Sequence, residues 1–336
     1  MPFIAATAVG IPPDLQGQRA FSVLSAQALT AIALDQADSL QISPLERAHP
    51  EALNVALRER LESPHERVRE VATSVLQTFG LRLGYLIAIL KRGDAESRAA
   101  REDWDDSYWA YWGRIERFYL GGGLACAEVC DAAVRAARDA GVSTYIEVAP
   151  FPAARPLTGA ARSLALRDGA ALVLDFGQTA TKRAVAAYGE GLLCRLNMLP
   201  PVPSTTLQGR AYSGSMAELI VASLPQNTSV AGICVSSYLD DKQHPAVYAS
   251  GRLSGIHDEI ENLRTWLSDE VSRIARRAVE ISLFHDCSAA GAGLSPGASS
   301  AIIMLGTALG SGFPFETDEH LTPSAPDFTA TEYAQA

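Results

Sequence analysis

Leu174-Asp175-Phe176-Gly177-Gln178-Thr179-Ala180-Thr181-Lys182 is the stretch on which the fold turns. It closes the apolar run 171–174, so a buried strand delivers an aspartate to its end and the chain then bends sharply. In such a bend the backbone N–H groups and the Thr179 hydroxyl can cradle phosphate oxygens, and Asp175 can hold Mg²⁺ through water. Three β runs, 171–175, 182–188 and 192–198, are joined by connectors short enough for an antiparallel meander. A helix over 216–224 and a strand over 230–236 follow. Next come a helix with Ile260, Leu263, Leu267, Val271 and Ile274 on one face, and a strand over 279–284 that runs into His285-Asp286. The pattern is βββαβα, so the fold class is α/β.

Outward from that core, the first part of the chain reads as mostly helical. Phe21, Leu24, Ala28 and Ile32 mark one amphipathic helix, 50–62 a second, and Ser63-Pro64 opens a long third that keeps its apolar period to Leu90 and stops near Gly93. A strand over 115–120 runs into Gly121-Gly122-Gly123. A helix over 125–140, a strand over 145–148 and a helix around Gly159-Ala160-Ala161 complete this half. On the other side, a strand over 301–305 runs into Gly306-Thr307-Ala308-Leu309-Gly310-Ser311-Gly312, whose glycines let the backbone approach an anion closely. The tail from about Thr317 has little apolar period and is expected to be loose.

With 336 residues, 48% hydrophobic and 20% charged, the chain has globular composition and the length for two modest domains. A net charge of -10, from 28 Lys+Arg against 38 Asp+Glu, argues against nucleic acid or an anionic membrane as partner, because both need a basic field. No apolar run reads as long as the roughly 18 to 20 residues of a bilayer span, and Met1-Pro2-Phe3-Ile4 lacks the charged start of a secretory signal, so the expected address is cytoplasmic. Five cysteines make no disulfide framework; Cys126 and Cys130, four apart, lack the further ligands a metal site needs and read as buried thiols. Trp104, Trp109 and Trp112 with Tyr108 and Tyr111 read as a packing cluster.

The run 172–187 resembles the first phosphate loop of the actin-like ATPase and sugar kinase superfamily, and in particular of the ROK family of sugar kinases and repressors. Leu283-Phe284-His285-Asp286-Cys287-Ser288-Ala289-Ala290-Gly291-Ala292-Gly293 is similar to that family's segment carrying the catalytic base, and 303–312 to its second phosphate loop. Tyr119-Leu120-Gly121-Gly122-Gly123-Leu124-Ala125 resembles the adenosine-side loop that the family carries near its C-terminal end, yet here it precedes the first phosphate loop. A circular permutation accounts for the order. The resemblance implies a two-lobed actin-like, ribonuclease H-like fold: 1–165 as one lobe with the glycine loop, 166–298 as the phosphate-loop lobe, 299–316 returning to the first lobe, and 317–336 as tail.

It also implies ATP and Mg²⁺ as cofactors and phosphoryl transfer to a small sugar-like substrate. Asp286 would take the proton from the attacking hydroxyl, and Asp175 would orient Mg²⁺ through water. Gly177, Gln178, Thr179, Lys182, Gly306, Thr307 and Gly310 would meet phosphates, Gly122 and Gly123 would flank the adenosine, and Ser254, Gly255 and His285 would face the acceptor. A homodimer is expected by resemblance only. Gln178 departs from the family, standing where a second glycine is usual. The asparagine expected near Ala249-Ser250-Gly251-Arg252-Leu253-Ser254-Gly255 is missing, the zinc-binding cysteines are absent, and Glu319-His320 only echoes a sugar motif. Two alternatives to a kinase therefore stand: a non-catalytic ligand sensor, and an ATPase that switches conformation. Asp286 could also simply cap the helix that follows it.

Overall fold

The computed structural model describes residues 11–48, 53–240, 243–245, 251–317 and 319–331. The readings of Met1-Pro2-Phe3-Ile4, of a helix start at Pro50 and of Ala249-Ser250 lie outside the described residues. In chain order, α1 (Ala20–Val23), α2 (Ala26–Asp35), α3 (Pro44–Ala48), α4 (Leu53–Leu61), α5 (Glu66–Arg92), α6 (Ala95–Ala99) and α7 (Asp106–Arg114) precede β1 (Arg117–Gly121), α8 (Ala127–Asp139) and β2 (Tyr145–Val148). Then come α9 (Arg155–Ser163), β3 (Gly169–Phe176), β4 (Ala180–Gly189), β5 (Leu192–Pro203), α10 (Gly209–Ser223), β6 (Val230–Val235) and α11 (Leu263–Ala275). The chain closes with β7 (Glu280–His285), α12 (Asp286–Ala292), β8 (Ser300–Leu305), β9 (Leu309–Gly312) and β10 (Ser324–Ala330).

These elements form two compact units. Unit 1 is Met1–Ala153 with Ser299–Ser311, and unit 2 is Ala154–Ala298 with Gly312–Ala336. The division falls after Ala153, not after residue 165, and splits the segment 299–316 at Ser311.

Unit 1 is built on a sheet of order β2-β1-β8-β9, with β1 parallel to both β2 and β8. Its long helix α5 presents Val75, Phe79, Leu83 and Leu86 as a buried stripe and ends at Gly93, which takes the left-handed φ of 54°. A Cβ at Gly80 or Gly84 would lie 2.3 Å from the Val129 or Ala133 carbonyl, so these glycines set the close approach of α5 to α8. By length and composition α5 is apolar enough to cross a bilayer, which corrects the reading that no such run exists; its apolar stripe is buried within unit 1. The single N-terminal amphipathic helix is also corrected. The chain breaks at Ser25, whose side chain accepts the Ala28 N–H and caps α2, and Phe21 is left 51% exposed. Trp109 and Trp112 are buried, with Trp112 stacked 6.2 Å from Phe118, so the aromatic cluster is packing. Cys130 is likewise buried and donates to the Ile146 carbonyl, while Cys126 is half-buried at the start of α8.

Unit 2 is built on a sheet of order β10-β5-β4-β3-β6-β7. β3, β4 and β5 form the antiparallel meander, and β6 and β7 continue parallel to β3. Strand alternation sends Leu172, Leu174 and Phe176 to one face, where they join Met216 and Ile220 of α10 and Leu267 and Val271 of α11. The opposite parity puts Ala171, Val173 and Asp175 on the other face. There, Cys234 of β6, in register with Asp175, donates to the Pro156 carbonyl of α9. α9 lies flush on α12: a Cβ at Gly159 would fall 1.5 Å from the Ala289 carbonyl oxygen. Arg155 and Arg162 of α9 cap the C-terminal end of α12, donating to the Gly293, Ala292 and Leu294 carbonyls at 2.5, 2.8 and 2.9 Å.

The tail departs from expectation as well. β10 runs parallel to β5 and extends the sheet, and Thr322 donates its N–H to the Arg162 carbonyl and its hydroxyl to that of Leu166. Pro326 is compatible with this because, among the described residues, β10 is the edge strand of the sheet.

Candidate functional site

The chemistry of unit 2 gathers where β3, β6 and β7 end. The register places Asp175 beside Lys182 on β4 and beside Cys234 on β6, and Val235 beside His285 on β7. Asp175 is buried, and Lys182 Nζ lies 3.3 Å from its Oδ2. A cation is needed there because an unpaired buried carboxylate is costly.

Asp286 follows directly as the first residue of α12. Its Oδ1 accepts the Cys287 N–H at 2.6 Å and stands 3.4 Å from His285 Nε2. Burial, reinforced by the negative charge of Asp175, pushes the Asp286 carboxyl up to about 6, against the lowering effect of the Cys287 hydrogen bonds and Lys182. Burial pushes His285 down to about 4, so at neutral pH the imidazole is uncharged. With its proton on Nε2, His285 faces Asp286 while Nδ1 accepts from the Ser288 hydroxyl at 3.0 Å; that tautomer serves both partners. Burial also raises the Cys234 and Cys287 thiols well above their ordinary value, which keeps both protonated and weakly nucleophilic. The arrangement is thus an ionised carboxylate poised near neutrality, flanked by a carboxylate–ammonium pair and a neutral imidazole. Chemically it can accept a proton and hold a hard cation or a phosphate nearby.

The turn after Asp175 is held from one side. Arg252 donates to the Gly177 carbonyl at 3.0 Å and to the Gln178 carbonyl, and the Ser204 hydroxyl donates to Gly177 at 2.8 Å. The Gly177 N–H turns back to the Asp175 carbonyl. Gln178 and Thr179 are exposed, and among the described residues no hydrogen bond takes up their N–H groups. Two free donors on an exposed turn beside a buried carboxylate fit a phosphate with Mg²⁺. The Asp175 carboxylate suits that hard ion, whereas His285, Asp286 and Cys287, whose ligand atoms lie within 4.8 Å of one another, form a mixed nitrogen, oxygen and sulfur set.

Asp175, Lys182, His285 and Asp286 therefore come together in unit 2. Ser254 and Gly255 do not join them: both are exposed in a turn, with Gly255 at φ 74° and the Ser254 N–H on the Gly251 carbonyl, and among the described residues neither contacts His285 or Asp286. Gly122, Gly123, Gly306, Thr307 and Gly310 belong to unit 1. There Gly306, Thr307 and Ala308 form the tight turn between β8 and β9, with Thr307 exposed. Gly122, at φ 88°, has its Cα so near β8 that a Cβ would meet the Leu305 carbonyl at 2.2 Å, whereas Gly123 is exposed and open. The glycine at 122 is thus required by packing, and only Gly123 offers free space.

Sequence reasoning missed Arg252 and Tyr238. Arg252 reaches across some 75 positions to the turn. Tyr238 stacks on His285 with ring centroids 4.3 Å apart. No local pattern announces either contact, since both arise from how distant loops meet.

No protein-family model and no curated protein matches this chain. Among solved structures it is similar to the ethanolamine utilization protein EutJ from Carboxydothermus hydrogenoformans. That match has 15% identity, covers 64% of this chain and 75% of that one, and has a TM-score of 0.31.

Proposed function

We propose that this chain is an ATP-dependent phosphotransferase on a permuted actin-like fold, with Asp286 as the proton acceptor for an attacking hydroxyl. The observation that carries the reading is the Asp286 carboxyl, pushed up to about 6 and standing beside the Asp175–Lys182 pair. A base poised just below neutral pH is ionised when it is needed and still basic enough to take a proton late in the step. The β5-β4-β3-β6-β7 order, a meander followed by two parallel strands, supports the ribonuclease H-like core that such a fold requires.

In the proposed reaction the acceptor hydroxyl gives its proton to Asp286 as its oxygen bonds to the terminal phosphorus of ATP. The bond from that phosphorus to the bridging oxygen breaks, and ADP leaves with the electron pair. Asp175 would hold Mg²⁺ through water. Lys182, the Thr179 hydroxyl and the N–H groups of Gln178 and Thr179 would bind phosphate oxygens. When bound, the ion neutralises phosphate charge; orientation and proton removal fall to the protein.

A second reading, nucleotide binding without sugar phosphorylation, is favoured by one observation: Ser254 and Gly255, the expected acceptor contacts, lie exposed and away from Asp286. The deciding experiment measures ADP release with Mg-ATP over a panel of alcohols and sugars, beside a blank without acceptor, for the parent and Asp286→Asn. Acceptor-dependent turnover that Asp286→Asn lowers by about 10²-fold or more upholds the transferase. Acceptor-independent turnover moves the assignment to an ATPase, and no thermal shift with saturating Mg-ATP overturns every nucleotide-using version.

A further inference from the structure

Next to His285, unit 2 contains a cavity of ≈ 250 Å³ that none of the proposed phosphate-binding residues lines. Tyr238 and His285 stack at its edge, 4.3 Å between ring centroids and 27° between planes. Leu239, Leu283 and Phe315 supply apolar surface. Tyr238 and Phe315 are 58% and 47% exposed, unusual for large rings, and both border this one cavity.

Its exposed surface is mainly apolar, with polar side chains from Ser163, Tyr238, Gln243, His285 and Ser288. The Gln243 side-chain oxygen accepts the Leu283 N–H at 3.2 Å, and His285 Nδ1 is held by Ser288. Among the described residues no charged side chain lines it. A hexose placed there would lose hydrogen bonds from most of its hydroxyls without replacement, whereas a ring with one hydroxyl would lose little.

We infer that this cavity seats the acceptor, and that the acceptor is a small single-ring alcohol of mainly apolar surface, its ring against Tyr238 and its hydroxyl directed past His285 toward Asp286. The inference rests on the transferase reading. His285 Nε2 is 3.4 Å from Asp286 Oδ1, so the cavity lies one side chain from the proton acceptor. The volume sits just below the roughly 300 Å³ at which drug-sized pockets begin, which limits the occupant to about one ring.

The test uses benzyl alcohol as probe and D-glucose as comparison, with binding followed by saturation-transfer NMR on the full chain without nucleotide. Benzyl alcohol is expected to bind and glucose not. Tyr238→Ser and Phe315→Ser are each expected to weaken the probe about tenfold, the loss of one aromatic stack. Because both side chains are exposed, the melting temperature of either variant should stay within about 2 °C of the parent. Equal binding of glucose and benzyl alcohol, or unchanged probe affinity in Tyr238→Ser, overturns the assignment. A Mg-ATP thermal shift on the same samples separates the two ideas. If the shift is present and the ring probe fails, the acceptor class is wrong; if the probe binds and the shift is absent, the cavity stands and the transferase reading falls.

Discussion

Replacing Asp286 by Asn should make the protein more stable, and by an amount that depends on pH in a way no simple cap would produce. Asp286 rises from its ordinary 3.8 to about 6 in the folded chain. Between those values the folded state holds the proton more tightly than the unfolded one, so stability falls as pH rises, and the loss is complete above about pH 6. The cost of keeping the carboxylate ionised is about 3 kcal/mol at pH 7.5 and only about 1 kcal/mol at pH 4.5. Asn keeps the Oδ1 that accepts the Cys287 N–H and removes the charge. In a unit of this size, 3 kcal/mol corresponds to about 6–12 °C in melting temperature.

His285 acts with the opposite sign. Its folded value of about 4 lies below its ordinary 6.5, so stability is lost as pH falls from about 6.5 to 4. In the parent the two slopes oppose each other between about pH 4 and 6, and the stability curve there should be nearly flat. Asp286→Asn leaves the histidine slope alone, so the variant should lose about 2 kcal/mol on acidification from about pH 6 to 4. Differential scanning calorimetry of both proteins from pH 4.5 to 8, following the transition that the substitution moves, reads all of this. A variant no more stable than the parent at pH 7.5, or one whose advantage is as large at pH 4.5 as at 7.5, refutes the reasoning.

The close contact between α9 and α12 predicts that Gly159→Ala, whose Cβ would land 1.5 Å from the Ala289 carbonyl oxygen, lowers stability by about 3 kcal/mol or more; urea unfolding checks it. Lys182→Met leaves the Asp175 carboxylate buried without its cation and should cost about 2 kcal/mol, a loss that Lys182→Arg largely restores in the same assay. Cys234 and Cys287 are buried and protonated, so iodoacetamide at pH 7.5 should label them only after denaturation, while half-buried Cys194 reacts in the native protein; peptide mass spectrometry distinguishes the three.

Much of unit 2 was legible because its signals are local. The apolar run of β3 is continuous because β4 and β6 flank it and helices cover both faces, and the meander connectors are short enough to allow only a few arrangements. The same period-2 rule that sends Leu172 and Leu174 to α10 and α11 sends Asp175 the other way, so its role as a buried carboxylate could be anticipated. What stayed hidden depends on partners far away in sequence. The apolar steps at Phe21 and Leu24 continue the period of α2, but the Ser25 cap breaks the helix and leaves Phe21 outside. β10 is visible only through its pairing with β5, since its proline and polar residues carry no strand signal of their own.

Whether Asp286 is a helix cap or a functional group is decided by energetics more than by position. A carboxylate that serves only to start a helix sits at the cap, in water, and receives the free N–H groups of the first turn, and those bonds hold its pKa low. Here the cap position is occupied by His285, which makes no side-chain capping bond, and Asp286 takes hydrogen bonds from the backbone N–H and the thiol of Cys287. Burial and the Asp175 charge outweigh those bonds and drive the carboxyl up instead of down. The packing that causes the burial is specific. Gly159 on one side lets α9 touch the α12 backbone, and a Cβ at Gly312 on the other would fall 1.7 Å from the Cys287 carbonyl oxygen, so α12 is held in place with the Asp286 side chain 26% exposed. A carboxylate held ionised at a cost of about 3 kcal/mol, where Asn is expected to cost less, fits the proton-acceptor role proposed above.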